Sequence, residues 1–187
     1  DRCTVSGCHT AGSIYGGGPE AYRGIGGLIG FAHSLFIDQT PMTVEYCSSD
    51  VLIHIVSRSD SIGGLIGFNQ KGHVLHSHAA GNLNLFPEHS GEAAGGLIGR
   101  NENGPVAWSG AEGHLKSSRY FEDTGGLIGI NTSPDAVIEN CYAHGDVKTA
   151  SSYGNCGGLI GRNCYGNVYN SCAKGTVSAV RGPAGGL

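Results

Sequence analysis

The chain contains nine histidines, and histidine is the most common metal ligand among side chains. The densest group lies at residues 73–78, where one residue separates His76 from His78. On a β-strand this spacing directs both imidazoles to one face, where they could share an ion. The matching positions of the neighbouring repeats, described below, supply no cysteine or carboxylate, and two solvated histidines are the simpler interpretation. We therefore predict no metal and no cofactor, with His76 and His78 as weak candidate ligands.

Cysteine pairing is a second candidate chemistry. The chain has seven cysteines but no Cys-x-x-Cys pair, which argues against a zinc ribbon or a thioredoxin-type site. Cys156, Cys164 and Cys172 are evenly spaced, and we expect a disulfide among them if the protein is exported. Because seven is odd, at least one thiol is free or pairs outside this sequence.

Catalysis on a glycan would need paired carboxylates, or a carboxylate with a basic partner, in a groove on one face. The acidic residues Glu20, Glu88, Glu92, Glu122 and Asp123 fall near predicted turns, where solvation is their expected role. The His-Glu-x-x-His motif of zinc peptidases is absent from the sequence. We predict that the chain is not an enzyme.

One pentapeptide, Gly-Gly-Leu-Ile-Gly, organises the spacing of these residues. It starts at residues 26, 63, 95, 125 and 157, and a sixth copy starting at 185 stops after Leu187. Such a period, close to 30 residues, is typical of solenoids and other repeat arrays. The predicted structural repeat positions are Gly27, Leu28, Ile29, Gly30, Gly64, Leu65, Ile66, Gly67, Gly96, Leu97, Ile98, Gly99, Gly126, Leu127, Ile128, Gly129, Gly158, Leu159, Ile160 and Gly161.

A second block follows most copies of the pentapeptide. Its clearest copies lie at 140–147 and 170–177, with weaker ones at 77–83 and 109–115 and a degenerate one at 47–49. Read with a period of two, the block has small residues on one face and polar residues on the other, which predicts a half-buried β-strand. The polar columns contain no run of acidic side chains. A short apolar stretch precedes each block and adds another strand.

The alignment of the blocks also places the cysteines. Cys3 and Cys47 align with Cys141 on the small inner face, where we expect them to fill the core. The alignment places Cys8, Cys156, Cys164 and Cys172 on the outside or in turns. Scattered aromatics, Trp108 among them, could form a sugar-binding or protein-binding patch, but separate packing is the favoured interpretation.

The composition favours an all-β fold. The 34 glycines show no Gly-X-Y period, and they recur too often for stable helices. We predict a parallel β-solenoid (β-helix) of about six repeats, each with two or three short strands, in one domain over residues 1–187. A propeller is less favoured because its blades need ~40–45 residues. In the solenoid, the Leu and Ile of each pentapeptide would lie on opposite faces of one strand.

The first repeat has the longest interval after its pentapeptide. We expect residues 31–43 to form a protruding loop and to be the first place to look for function. The chain starts and stops within a repeat, and we expect it to be a fragment of a longer array whose open ends are continued by further protein.

The Gly-Leu-Ile-Gly core at 27–30 and its equivalents, with Asn-Cys-Tyr-Ala-x-Gly-x-Val at 140–147, resemble the GLUG-motif family. The resemblance implies large secreted or surface-attached bacterial proteins, adhesin-like ones included, and kinship with repeat regions beside the protease domains of IgA-cleaving metallopeptidases. It supplies no catalytic residues. At 47–50 the Ala-x-Gly-x-Val part is lost, which predicts a disturbed register in the second repeat.

We therefore expect a non-catalytic, structural or adhesive repeat module, extracellular or at the cell surface. Its expected partners are further repeats of the same chain or stacked copies, and a host protein or glycan. Nucleic acid is disfavoured because Lys and Arg do not cluster, and no apolar run reaches the ~18 residues of a transmembrane helix. The alternatives are a self-stacking subunit of an extracellular filament, and the non-catalytic flank of a protease or of a glycan-active β-helix enzyme.

Overall fold

A computed structural model describes residues 3–18, 21–33, 40–87, 90–151 and 153–187. These residues form short strands and contain no helix. Short strands are expected from a chain in which glycine interrupts every apolar run.

The first two turns contain β1 (Thr4–Ser6), β2 (His9–Gly16), β3 (Ile25–Gly26), β4 (Ile29–His33), β5 (Thr43–Glu45), β6 (Ser48–Ile55), β7 (Ser59–Gly63) and β8 (Ile66–Gln70). The next two contain β9 (His73–Leu75), β10 (His78–Ala79), β11 (Leu83–Leu85), β12 (Gly91–Gly95), β13 (Ile98–Glu102), β14 (Val106–Ala107), β15 (Gly110–Ala111), β16 (Leu115–Ser117), β17 (Phe121–Gly125) and β18 (Ile128–Asn131). The last part contains β19 (Ile138–Glu139), β20 (Tyr142–Ala143), β21 (Val147–Thr149), β22 (Asn155–Gly157), β23 (Ile160–Asn163), β24 (Val168–Tyr169), β25 (Cys172–Ala173), β26 (Val177–Ala179) and β27 (Ala184–Gly185).

The strands form four parallel sheets, which each turn of the chain visits in the same order. The first sheet has six strands, β1-β5-β9-β14-β19-β24. The second has ten, β25-β20-β15-β10-β6-β11-β16-β21-β26, with β2 paired to β6. The third has six, β27-β22-β17-β12-β7-β3, and the fourth has five, β23-β18-β13-β8-β4. Equivalent residues of successive turns therefore lie side by side.

This arrangement confirms the predicted all-β parallel solenoid. About four turns, from β5 to β23, have a neighbouring turn on both sides. The turn formed by β1 to β4 precedes them, and the last turn, formed by β24 to β27, has no strand in the fourth sheet. The number of complete repeats is thus slightly below the six predicted. Each turn has four or five strands rather than two or three, because the chain must turn at four places to close a coil.

The second sheet is straight in the early turns and bent in the later ones. β2 and β6 run through eight residues each, whereas the later strands break at the glycine of the second block, for example at Gly81. Val51 stands opposite Gly81, and the pairs on either side keep one register, Ser49 with Ala79 and Ile53 with Leu83. The predicted register disturbance is therefore wrong. Both β6 with Val51 and β2 with Gly12 at this position stay continuous, so the early turns keep the strand extended with either residue.

The pentapeptide is a corner between the third and fourth sheets. β7 ends at Gly63, Gly64 and Leu65 form a bend, and β8 begins at Ile66. The prediction that Leu and Ile lie on opposite faces of one strand is wrong, because the bend turns both side chains into the same apolar core. Leu65 and Ile66 are fully buried there.

The corner glycines leave room for the backbone of another segment. A Cβ added at Gly96 would lie 2.1 Å from the carbonyl oxygen of Gly126 in the next turn and 2.8 Å from the Cβ of Ala111. Since Ala111 belongs to the second block, the two conspicuous sequence blocks face each other across the interior. The pentapeptide glycines do not have φ angles in the left-handed region, so space and not conformation requires them.

Two apolar cores lie on either side of the contact between Gly96 and Ala111. The first joins the corner Leu and Ile side chains to the valines of the first sheet, such as Val74. The second lies between the second and third sheets and contains Ile53, Leu83 and Phe121. Burying each such side chain contributes about 1.5–3 kcal/mol, so the repeated apolar columns are the main source of stability.

A column of buried asparagines runs along the fourth sheet. The side-chain amide of Asn101 donates to Gly104 O at 2.7 Å and to Asn131 Oδ1 at 2.9 Å, and Asn101 Oδ1 accepts from Asn69 Nδ2 at 2.8 Å. Asn163 continues the ladder in the next turn. The ladder satisfies a turn carbonyl and joins the coils at the same time.

A column of Cys and Ser side chains runs along the start of the second sheet. Its members are Cys8, Cys47, Ser77, Ser109, Cys141 and Ser171. The Ser77 hydroxyl donates to Leu75 O at 2.7 Å and accepts the backbone N–H of Cys47 at 3.1 Å. The prediction that Cys3 occupies this column is wrong, because Thr4 pairs with Thr43 and the first block begins at Cys8.

The predicted loop at 31–43 is only partly visible. Phe31 belongs to β4, where its ring meets that of Phe68 edge-on at 4.7 Å, and Thr43 begins β5. Residues 34–39 lie outside the described residues. Within the described ranges there is no helix long and apolar enough to span a membrane.

Candidate binding face

The outer face of the second sheet carries the most varied side chains of the solenoid. Its first column contains His9, Ser48, His78, Gly110, Tyr142 and Cys172. The predicted outer columns of the second block are confirmed by this register. The inner columns of the same strands hold small or aliphatic residues in every turn, so the aromatic and charged side chains of this sheet lie on its outside.

The chain enters this sheet through one residue in the left-handed conformation. The residues at this position are Gly7, Tyr46, His76, Trp108, Asn140 and Asn170, with φ between 46° and 64°. Glycine and asparagine adopt this conformation readily, whereas bulky side chains rarely do. In three consecutive turns the position is therefore filled by residues that the backbone geometry disfavours.

The three rings form a stack on the surface. Tyr46 and His76 are nearly parallel at 3° with centroids 5.0 Å apart, and His76 and Trp108 are at 15° and 6.2 Å. Tyr46 remains 62% exposed and Trp108 59% exposed. Two such contacts contribute about 1–3 kcal/mol together. Three left-handed residues cost about 3–6 kcal/mol, which offsets this gain.

Polar groups lie beside this stack on the same face. The Tyr142 ring covers Gly110, the outer-face residue that follows Trp108 along the strand. The Tyr142 hydroxyl donates to Glu112 Oε1 at 3.2 Å, and its ring lies 4.6 Å from that of His144. Burial, followed by the Glu112 carboxylate, raises the pKa of Tyr142, so the phenol keeps its proton.

Further along the sheet, the bend creates an open depression of about 270 Å³ lined by Asn82, Asn84, His114, Leu115, Lys116, Asp146 and Lys148. Several of these polar groups hold the backbone of the next turn. Asn82 Oδ1 accepts the N–H of His114 at 2.8 Å, and Asp146 Oδ1 accepts that of Thr176 at 2.8 Å. This last bond is the main reason that the pKa of Asp146 lies below its usual range. These side chains replace ladder bonds lost at the bend.

Sequence reasoning missed an acidic column on the outer face of the third sheet. Asp60, Glu92 and Glu122 occupy equivalent positions in successive turns. Arg100 Nη1 lies 2.6 Å from Glu92 Oε1 and partly neutralises the column. Each of the three acids lies three residues before a pentapeptide, a fixed offset that could have revealed them. Glu20 and Glu88 lie outside the described residues.

Asp123 is the acidic residue whose predicted solvation is wrong. Its side chain is 2% exposed, and Asn155 Nδ2 donates to Oδ1 at 2.6 Å. Arg162 Nε lies 3.0 Å from Oδ2, in an ion-pair contact that lacks the alignment of a hydrogen bond. Burial outweighs these partners and raises the pKa of Asp123 above its usual value of 3.8.

This raised pKa predicts a specific pH dependence. The Asp123 contribution to stability is fully present below about pH 3.8 and is lost as the pH rises through the raised folded-state pKa. The variant Asp123→Asn lacks this loss, so its unfolding free energy relative to the wild type should increase with pH between about 3 and 6. Urea unfolding of both proteins across this range measures the difference. Asp135→Asn, which makes the same change at an exposed turn position, is the matched control and should show no such trend.

The weak candidate ligands His76 and His78 and the three cysteines expected to form a disulfide lie as follows. His76 lies in the aromatic stack and His78 on the adjacent strand, and no group of three or more His, Cys, Asp or Glu side chains among the described residues could hold a metal ion. Cys156 lies in β22 of the third sheet, Cys164 follows β23 of the fourth sheet and Cys172 lies in β25 of the second sheet, and all three are free thiols.

The prediction that Cys156 lies outside or in a turn is wrong. Its side chain is buried inside the third sheet. Burial raises the pKa of Cys156 and of Cys141 to about 11, so both remain unreactive thiols at neutral pH.

The parallel coils, the corners and the repeated columns define a β-solenoid repeat module. The family model described as the GLUG motif matches residues 122–148, which include one corner and the following second block. This match confirms the predicted resemblance to the GLUG-motif family. Neither the comparison with curated proteins nor the comparison with solved structures found a match.

Proposed function

We propose that this repeat module is a non-catalytic, structural and adhesive part of an extracellular bacterial protein. The observation that carries the proposal is the separation of roles between the two sides of the second sheet. The inner columns keep small or aliphatic residues from turn to turn, as stacking requires, whereas the outer columns hold residues of different chemistry in most turns, such as Ser48, His78 and Tyr142 in the first column. A rigid scaffold with a variable exposed face is typical of solenoid binding surfaces.

Location and adhesion are tested separately. Protease treatment of intact producing cells should remove the module and leave a cytoplasmic marker protein whole. The purified module, immobilised on beads, should be retained on a glycan array or on host matrix proteins. A module that is protected in intact cells, or that binds neither class of ligand, would contradict the proposal.

A glycan-active enzyme is the second candidate, and the acidic column is the observation that favours it. Neighbouring parallel strands are spaced by about 4.8 Å, which is comparable to the carboxyl separation of about 5–5.5 Å in retaining glycosidases. Glu92, however, is engaged by Arg100, and the depression that it lines with Asp60 and Glu122 is open. A hydrolase and lyase screen decides between the two. Turnover that is abolished in Glu122→Gln would establish the enzyme, and binding without turnover would support the module.

A further inference from the structure

The left-handed position that precedes the second sheet shows whether the turn itself requires aromatic side chains. At the equivalent position of two later turns, Asn140 and Asn170 adopt the same left-handed conformation, which asparagine tolerates. Tyr46, His76 and Trp108 are therefore not needed to make the turn. Strained residues that persist at one surface site indicate a functional constraint.

The chemistry around the rings indicates the type of ligand. Because the rings stack on one another, the apolar surface that stays open consists of the ring edges and the outer faces of Tyr46 and Trp108. Tyr142 lies on β20 of the next turn, and its hydroxyl reaches Glu112, which follows β15. A pyranose has the complementary structure, because its C–H groups form an apolar face and its hydroxyls form a polar rim. Aromatic rings cover the apolar C–H face, and carboxylates accept hydrogen bonds from the hydroxyls of the rim.

The charge of this face selects among saccharides. Asp50 and Glu112 share the second outer column from the aromatic stack, which reaches Lys174 two turns after Glu112, and the whole chain has a formal net charge of −4. The lysines further along are occupied, since Lys148 pairs with Asp146 at 3.4 Å and Lys116 lies over the Phe86 ring. Polyanionic glycans would be repelled by the carboxylates, whereas uncharged ones would not.

We propose that Tyr46, His76 and Trp108, with Glu112 and Tyr142 beside them, form a binding site for an uncharged pyranose saccharide. This proposal rests on the adhesive function proposed above and names its ligand class. The two stacked pairs span about 11 Å between Tyr46 and Trp108, by addition of the centroid distances. The two open ring faces lie at the two ends of this stack, and each has the size to cover one pyranose ring.

The chain has one tryptophan, so its fluorescence reports on this site alone. Hexasaccharides of glucose, mannose, xylose and N-acetylglucosamine are titrated into the whole chain, with oligogalacturonate as the charged comparator. We expect at least one uncharged hexasaccharide to shift or quench the Trp108 emission, and oligogalacturonate to leave it unchanged. An emission that responds to none of the uncharged sugars, or equally to oligogalacturonate, overturns the proposal.

A second experiment replaces the three rings by asparagine, the residue that two other turns have at this position. The triple variant Tyr46→Asn/His76→Asn/Trp108→Asn should bind the responding sugar at least tenfold more weakly by calorimetry, with no lowering of the melting temperature. Tyr153→Asn removes a tyrosine that is 95% exposed elsewhere and should bind like the wild type. A triple variant that binds normally overturns the site while leaving the adhesive function intact. A triple variant that melts earlier shows a structural role for the rings and also overturns the proposal.

Discussion

Replacing Gly96 by alanine is expected to lower the free energy of unfolding by about 3 kcal/mol or more. The new Cβ would lie 2.1 Å from the Gly126 carbonyl oxygen and 2.8 Å from the Ala111 Cβ. The first contact is with the backbone of a neighbouring coil, which cannot move without disturbing the corner of that coil. Urea unfolding followed by far-ultraviolet circular dichroism measures the loss.

Gly186→Ala is the matched control, because Gly186 has the same motif position in the last turn. Among the described residues nothing lies within 4 Å of a Cβ added there. We expect this variant to differ from the wild type by less than about 0.5 kcal/mol. Equal losses in the two variants would show that the cost comes from the alanine itself and not from the stacking of corners. The double variant Gly96→Ala/Ala111→Gly should remain destabilised, since the Gly126 oxygen is still in place.

Replacing Asn101 by leucine is expected to cost about 3 kcal/mol or more, for a different reason. Leucine has a similar size but leaves Gly104 O and Asn131 Oδ1 without their donor, and Asn69 Nδ2 without one acceptor. Each buried polar group that loses its partner costs about 1–3 kcal/mol. The same urea experiment measures the change, and a loss below about 1 kcal/mol would contradict a cooperative ladder.

The end of the ladder supplies the comparison. Asn163 also donates to a turn carbonyl, Gly166 O at 2.6 Å, but it is exposed. Water can replace the lost hydrogen bonds there, so Asn163→Leu should cost clearly less than Asn101→Leu.

Asn101→Asp should be more harmful at neutral pH than in acid, because it would place a charge in the interior beside a carbonyl oxygen.

The sequence determined the repeat, the fold class and the inner face of the second block. These follow from local patterns, since stacking demands the same side chain at the same place in every coil. The asparagine ladder was also readable, because each member lies two residues after the last glycine of a pentapeptide. Ala32 takes this position in the first copy, and Asn69 Oδ1 accordingly lacks a hydrogen-bond partner. The acidic column could likewise have been found from its fixed offset.

Only the tertiary structure decided what the pentapeptide does and where the surface groups meet. A short run such as Gly64-Leu65-Ile66 is compatible with a strand or a bend, and contacts from a neighbouring coil decide between them. The ring stack depends on a backbone conformation that residue type does not predict, because tyrosine, histidine and tryptophan rarely adopt it. Burial of Asp123 depends on Asn155 and Arg162, which come from the following turn. Local pattern thus determined which positions repeat, and contact between coils determined which of them bend, stack or bury a charge.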